Sequence, residues 1–191
     1  MNYSTPSQTV GPYLHIGLHW LNGSDMLAHC PQVSGERIRI EGHLFDGLGK
    51  PISDGMIEVW QANSHGRYAH PEDHEGGPLE DNFTGFGRCA TGPDGGFAFD
   101  TIKPGRVAGS GKTLQAPHLV VSVFARGVLK RLCTRLYFAD ETGNASDPVL
   151  LQVPQARRAT LISRVQDGVH HWNIVIQGQV QDWPETVFFD V

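Results

Sequence analysis

The chain of 191 residues has a formal net charge of -5, from 15 Lys and Arg against 20 Asp and Glu, with the two signs mixed along its length. It offers no basic stripe for phosphates, which excludes nucleic acid as the expected partner. No window approaches the roughly eighteen apolar residues of a membrane span. The polar start MNYSTPSQTV has no apolar signal core, and Cys30, Cys89 and Cys133 show no paired spacing, so the expectation is a cytoplasmic protein with reduced thiols and no membrane contact. Hydrophobic residues make up 39%, and Gly 23 with Pro 12 supply many turns, which favours one β-rich unit with large loops.

Residues 1–35 are broken by Pro6, Gly11, Pro12, Gly17, Gly23 and Pro31 yet contain Tyr13, Leu14, Ile16, Leu18 and Trp20. They read as an ordered arm that must lie on something, a partner chain being one candidate, ahead of a domain over 36–191. In 36–45, Ile38, Ile40 and Leu44 alternate with Arg37, Arg39, Glu41 and His43, as in a half-buried antiparallel strand. After turns at Asp46-Gly47 and Gly49-Lys50-Pro51, a second strand alternates Met56, Glu58 and Trp60 with Ile57, Val59 and Gln61 and ends near Asn63. The turn formers Asn63, Ser64 and Gly66 then place Arg67, Tyr68, His70, Glu72 and Asp73 in a loop at the rim of the sheet. Residues 86–91 and 97–102 are predicted as a hairpin closed through Pro93-Asp94-Gly95-Gly96.

A glycine-rich loop after Lys103 feeds a strand over 117–126, on which His118, Val120, Ser122 and Phe124 share a face. A turn at Gly127 leads into 129–138, with Arg131, Cys133, Arg135 and Tyr137 on one face and Leu132, Leu136 and Phe138 on the other. One short helix is expected near 148–153. Asp167-Gly168 signals a hairpin into 171–178, with Trp172, Ile174 and Ile176 inward and Asn173, Val175 and Gln177 outward, and 186–191 forms a last strand. Roughly seven to nine short strands with glycine-rich turns give the fold class: an all-β antiparallel β-sandwich with long loops, an extended N-terminal arm and at most a short helix.

Several residue groups invite a chemical reading. His65, His70 and His74 share an acidic loop with Glu72, Asp73 and Glu75, but loop spacings of this kind fix no metal geometry, and a solvated loop is the expectation. His170 and His171 point to opposite sides of a strand and read as surface or partner contacts. There is no GxSxG, and Gly109-Ser110-Gly111-Lys112-Thr113 lacks the first glycine and the helix of a phosphate-binding loop. Arg135, in TRLYF, differs in that a guanidinium on a rigid strand can hold a carboxylate through paired hydrogen bonds. Its bland alternative is an arginine paired within the sandwich.

The segments IEVWQANSHGRYAH, FGRCATGPDGGFAFDTIKPG and APHLVVSVFARG, with TPSQTVGPYLHIG near the start and ETVFFDV at the end, resemble the intradiol ring-cleaving dioxygenases, non-haem Fe(III) enzymes that open catechols between their hydroxyls. The resemblance covers nearly the whole chain. It implies an iron site of two tyrosines, one in the GRY loop and one ending KPGxY, and two histidines in an HxH strand. Here Tyr68 and His118 stand at two ligand positions, while Val107 replaces the second tyrosine and Val120 the second histidine. Valine has no lone pair for a hard ferric ion. An arginine that precedes HxH in iron-bearing chains is Gln115 here.

These losses match the family's metal-free α chains, paralogues of iron-bearing β chains. The resemblance therefore implies no catalytic group in this chain alone, Fe(III) bound by a partner β chain, and a hetero-oligomer of αβ units acting on a catechol and O2. In such α chains the arm and the TRLYF arginine line the partner's pocket, which carries over to Thr9, Gly11, Pro12, Tyr13 and Arg135, the last meeting a benzoate carboxylate. Two rivals stand beside this reading. One is a self-sufficient dioxygenase using His70 or His74 with Tyr68 and His118; the other is a non-enzymatic binding module that kept the sandwich.

Overall fold

The computed structural model describes residues 6–11, 14–18, 23–111 and 113–190. In chain order a four-residue helix, α1 (Leu14–Gly17), precedes β1 (Arg37–Phe45), β2 (Met56–Trp60), β3 (Phe86–Ala90), β4 (Gly96–Ile102), β5 (Val107–Ala108), β6 (Leu114–Gln115), β7 (His118–Phe124) and β8 (Leu132–Tyr137). Three short 3-10 turns follow, Thr142–Ser146, Leu150–Gln152 and Gln155–Leu161, and then β9 (Arg164–Gln166), β10 (Val169–His171), β11 (Ile174–Val175), β12 (Gln179–Val180) and β13 (Trp183–Pro184). Among the described residues no helix is long and apolar enough to cross a membrane.

A five-stranded sheet is built around β1, which pairs antiparallel with β4 along one edge and parallel with β10 and β11 along the other, β9 extending it from β10. A four-stranded antiparallel sheet has the order β3-β2-β7-β8. The alternation read in the sequence decides what lies between them. Ile38, Ile40 and Leu44 of β1 and Phe97 and Phe99 of β4 meet Ile57, Val59, Leu119, Val121, Val123 and Leu136 of the second sheet in one buried cluster closed by Trp172 and Ile174. Burying each such side chain contributes about 1.5–3 kcal/mol. The second sheet is thereby a rigid platform whose other face is left for other uses.

Several expectations need correction. The β1 strand is not purely antiparallel, since β10 and β11 join it in parallel register. Residues 86–102 are not a hairpin: β3 pairs with β2 and β4 with β1, so the Pro93–Gly96 turn carries the chain from one sheet to the other. The turn itself closes as its residues demand, with Gly92 N donating to Gly96 O at 2.8 Å and Gly96 N to the Asp94 carboxylate at 3.0 Å. The helix expected near 148–153 is a single 3-10 turn at Leu150–Gln152, and the one α-helix among the described residues lies in the arm. Val175 is buried, because Thr186 packs over it, donating N–H to its carbonyl at 2.9 Å and accepting its N–H on the hydroxyl at 3.0 Å.

His170 is buried too, its Nδ1 3.0 Å from the Ser163 hydroxyl and its ring edge-on to Phe138. The last strand shrinks to one bridge, Phe189 to Cys133, and Val191 lies outside the described residues. The cysteines are free thiols as expected, Cys30 and Cys133 buried and Cys89 half-buried.

Candidate functional site

The face of the four-stranded sheet away from the main core carries the side chains that alternate with it: Trp60 on β2, His118, Val120 and Ser122 on β7, and Cys133, Arg135 and Tyr137 on β8, of which His118, Ser122, Cys133 and Tyr137 are buried by the segments packed over them. Register lines them up in rows. Trp60 pairs with Val120, Val120 with Arg135, and His118 with Tyr137, so one row runs Trp60–Val120–Arg135 and the next holds His118 and Tyr137. The His118 and Tyr137 rings lie 5.6 Å apart between centroids.

Two loops close over this end of the sheet. Asn63 folds the first, its side-chain oxygen accepting from His65 N and Arg67 N, each at 3.0 Å. Gly66 has φ +79, and a Cβ there would collide with the Arg106 carbonyl, so only glycine lets the loop press against the second one. Gly105 N donates to Asn63 O at 2.8 Å across the same seam. Asp73 accepts from Tyr68 N at 2.7 Å, and the Tyr68 ring lies on Trp60 with centroids 4.8 Å apart. In the second loop Val107 is buried and pairs with Gln115 in the β5–β6 ribbon. The local sequence thus brings all four ligand-position residues, Tyr68, Val107, His118 and Val120, to one end of the sheet.

At their centre is Arg135. Its Nη1 donates to Gln115 Oε1 at 2.6 Å and to the Tyr137 hydroxyl at 3.3 Å, and its charge acts on Tyr68, His118 and Tyr137. Burial pushes the Tyr68 phenol above its ordinary pKa, only partly opposed by the Arg135 cation, so Tyr68 keeps its proton. Burial, helped by the same cation, lowers His118 to about 4, so its ring is neutral at physiological pH. His118 Nδ1 lies 2.8 Å from Ala116 O, and because a carbonyl can only accept, the proton sits on Nδ1 and the lone pair on Nε2.

The arm residues go elsewhere. The Thr9 hydroxyl accepts from Gly127 N at 2.7 Å, in the turn between β7 and β8. Arg135 sits three register pairs from the Val123–Leu132 end of that hairpin, about 10 Å along the strands before the turn begins. Thr9 and Arg135 are therefore not parts of one site within this chain. At Gly11 a Cβ would meet nothing within 4 Å, and Pro12 and Tyr13 lie outside the described residues. In the acidic loop, His65 Nε2 sits 3.3 Å from a Glu80 carboxylate oxygen, and the His70 ring stands edge-on to Trp60 at 6.2 Å.

Two members of the centre escape a reading of the sequence. Asp147, 0% exposed, accepts from the Tyr137 hydroxyl at 3.0 Å, Ala116 N at 2.7 Å, Val149 N at 3.0 Å and Leu150 N at 2.7 Å. Asp followed by Pro ahead of an apolar run is a helix-start signal and was its only mark in the sequence. Gln115, noticed only as a missing arginine, is the acceptor that holds Arg135.

A family model described as Dioxygenase matches residues 11–178. The chain is 41% identical to the protocatechuate 3,4-dioxygenase alpha chain of Burkholderia cepacia, over 98% of this chain and 97% of that one. It is 42% identical to the beta chain of the same organism, over 68% of this chain and 56% of that one. Among solved structures, 3-chlorocatechol 1,2-dioxygenase of Rhodococcus opacus 1CP superposes with a TM-score of 0.63 at 19% identity, covering 90% of this chain and 71% of that one, a likeness of fold alone.

Proposed function

We propose, for a chain that belongs to the intradiol ring-cleavage dioxygenase family, the role of a metal-free α subunit of an enzyme that opens 3,4-dihydroxybenzoate with O2 to 3-carboxy-cis,cis-muconate. The family is non-haem Fe(III)-dependent, and the ferric ion, which activates the catechol for reaction with O2, is held by a β-type partner chain. Similarity to an alpha chain over nearly the whole of both sequences supports the subunit assignment, and lesser similarity to a beta chain of the same enzyme supports a paralogous partner.

The observation that carries the metal-free reading is the centre itself. Val107 and Val120 bring no donor, which leaves only Tyr68 and His118, and the guanidinium of Arg135 stands where its charge acts on both of them. Two donors beside a fixed cation do not fit a ferric ion, which needs several hard anionic oxygen and imidazole donors to hold its charge.

This chain's share of catalysis is then to shape the substrate pocket and hold the ring in place, a contribution that orientation can make large. Arg135 takes the ring carboxylate. Thr9, tied to the Gly127 amide, anchors the arm to the β7–β8 turn, and Gly11, Pro12 and Tyr13 are proposed with it as residues that contact the substrate. Within the arm over 1–35, residues 23–33 pack on this chain's own sandwich, through Met26 N to Asp100 O at 2.9 Å, Arg88 N to Gly23 O at 2.8 Å and the Cys30–Phe83–Ile102 cluster, so docking on the partner is assigned to the part of the arm ahead of them and 36–191 is the sandwich domain.

The test is co-expression with an iron-bearing partner chain and assay of the purified complex. Consumption of one O2 per 3,4-dihydroxybenzoate, with formation of the ring-opened tricarboxylate, is the expected outcome. A complex that binds the substrate without consuming O2 would favour a binding module instead.

A further inference from the structure

Arg39, Arg88, Arg126 and Arg157 each face a carboxylate, from Glu41 and Asp100, Glu58, Asp54 and Glu185 respectively. Arg37, Arg67, Arg158 and Arg164 donate to backbone carbonyls, whereas Arg135 is held by two neutral side chains. Among the described residues Arg135 has no ion pair; its two acceptors are the amide oxygen of Gln115 and the hydroxyl of Tyr137, both neutral and both on Nη1. The orientation of each acceptor is fixed in turn. Gln115 Nε2 donates to Ala108 O at 3.0 Å, which turns the amide oxygen toward Arg135. The Tyr137 hydroxyl donates to Asp147 Oδ1 at 3.0 Å, so only its lone pairs face the guanidinium. The anion that complements the cation is thus one hydrogen bond removed, on a buried carboxylate with three backbone N–H donors.

That arrangement has a physical consequence. A carboxylate directly on Arg135 would compete with any incoming anion and cancel its field, whereas neutral acceptors fix the guanidinium and leave its charge for a ligand. Nη2 and Nε make no hydrogen bond to a described residue, so the paired geometry suited to a carboxylate remains available. We infer that Tyr137, braced by Asp147, together with Gln115, is a positioning residue that orients Arg135 toward the carboxylate of the substrate without neutralising it. The inference rests on the reading of Arg135 as the carboxylate contact.

The experiment uses the assembled complex at equal iron content and measures kcat and KM for 3,4-dihydroxybenzoate and for catechol, which lacks the carboxylate. Tyr137→Phe should lower kcat/KM for the acid about tenfold, mainly through KM, and change catechol by less than about twofold. In an Arg135→Ala background the same substitution should cost nothing further, because a positioning residue acts only through what it positions. Gln115→Glu keeps the shape but sets a carboxylate against the guanidinium, and should cut the preference for the acid about as far as Arg135→Ala does. It also carries the test if Tyr137→Phe does not assemble.

An Arg135→Ala loss confined to the acid, beside a Tyr137→Phe variant that is silent or equally impaired on both substrates, overturns the positioning role alone. So does a Tyr137→Phe loss that persists undiminished without Arg135, or a Gln115→Glu complex with unchanged preference. An Arg135→Ala variant that shows no selectivity overturns both this role and the reading beneath it.

Discussion

Arg135→Ala is the most informative single substitution, because it removes a charge from a chain assigned no metal and reads the effect on chemistry at another chain. At about 4 Å and an effective dielectric near 20, a guanidinium and a carboxylate attract by roughly 4 kcal/mol at most. Arg135 is half-buried, so water screens part of that, and a charge-assisted hydrogen-bonded contact is worth about 2 to 3 kcal/mol in practice. That corresponds to a loss of about 30- to 160-fold in kcat/KM for 3,4-dihydroxybenzoate. The truncation also strands the Gln115 amide oxygen, but Gln115 is only half-buried and can turn to water, so the fold should hold. Steady-state O2 uptake on both substrates, with iron measured on each preparation, gives the answer. Equal losses on acid and catechol would show a packing defect, and no loss on either would make Arg135 purely structural.

Three further outcomes follow from the same geometry. Val107→Tyr with Val120→His should take up little iron, because the Arg135 cation remains among the restored ligands, and adding Arg135→Ala should raise uptake; full iron and tyrosinate-to-iron colour in the double variant would show that the guanidinium does not exclude the metal. His118 should make the fold acid-sensitive. Its folded pKa of about 4 lies below the 6.5 of the unfolded chain, so stability present above pH 6.5 falls as pH drops toward 4, by on the order of 3 kcal/mol, and His170 shifts in the same direction. Denaturant midpoints between pH 7.5 and 4.5 measure this, and His118→Asn should flatten the profile. Asp147→Ala strands three backbone donors and the Tyr137 hydroxyl, and should cost about 3 to 5 kcal/mol, seen as a Tm lowered by roughly 10 °C; a loss within 1 or 2 °C would mean water replaces the carboxylate.

The parts of the fold legible in the sequence were those set by local alternation. The faces of β2, β7 and β8 follow from a period of two, which is why His118 was grouped with Val120 and Arg135 with Tyr137 correctly, although it takes the register to show the two pairs on the same side of the sheet. Partner choice between strands was not legible. Pro93–Gly96 marks a reversal but cannot say that β4 will leave β3 for β1, and nothing local announces parallel pairing of β10 and β11 with β1.

Burial of Val175 and His170 depends on segments distant in the chain, Thr186 and Ser163, that alternation does not see. At the centre, the gaps at Val107 and Val120 followed from the resemblance, which marks those positions as ligand positions, but what stands among them did not. Only the register that sets Arg135 opposite Val120, with Gln115 and Tyr137 in reach, shows a guanidinium there. Asp147 stayed hidden because a buried carboxylate and a solvated loop acid look alike in sequence.

The central claim, a metal-free subunit that completes a partner's site, is tested most directly by counting iron. The chain purified alone and the complex with its β-type partner are each analysed for iron per chain, with the visible spectrum recorded for tyrosinate-to-iron charge transfer. The account predicts a colourless isolated chain with no stoichiometric iron and one iron per αβ pair in the complex. One iron on the isolated chain, or two per pair, would contradict it.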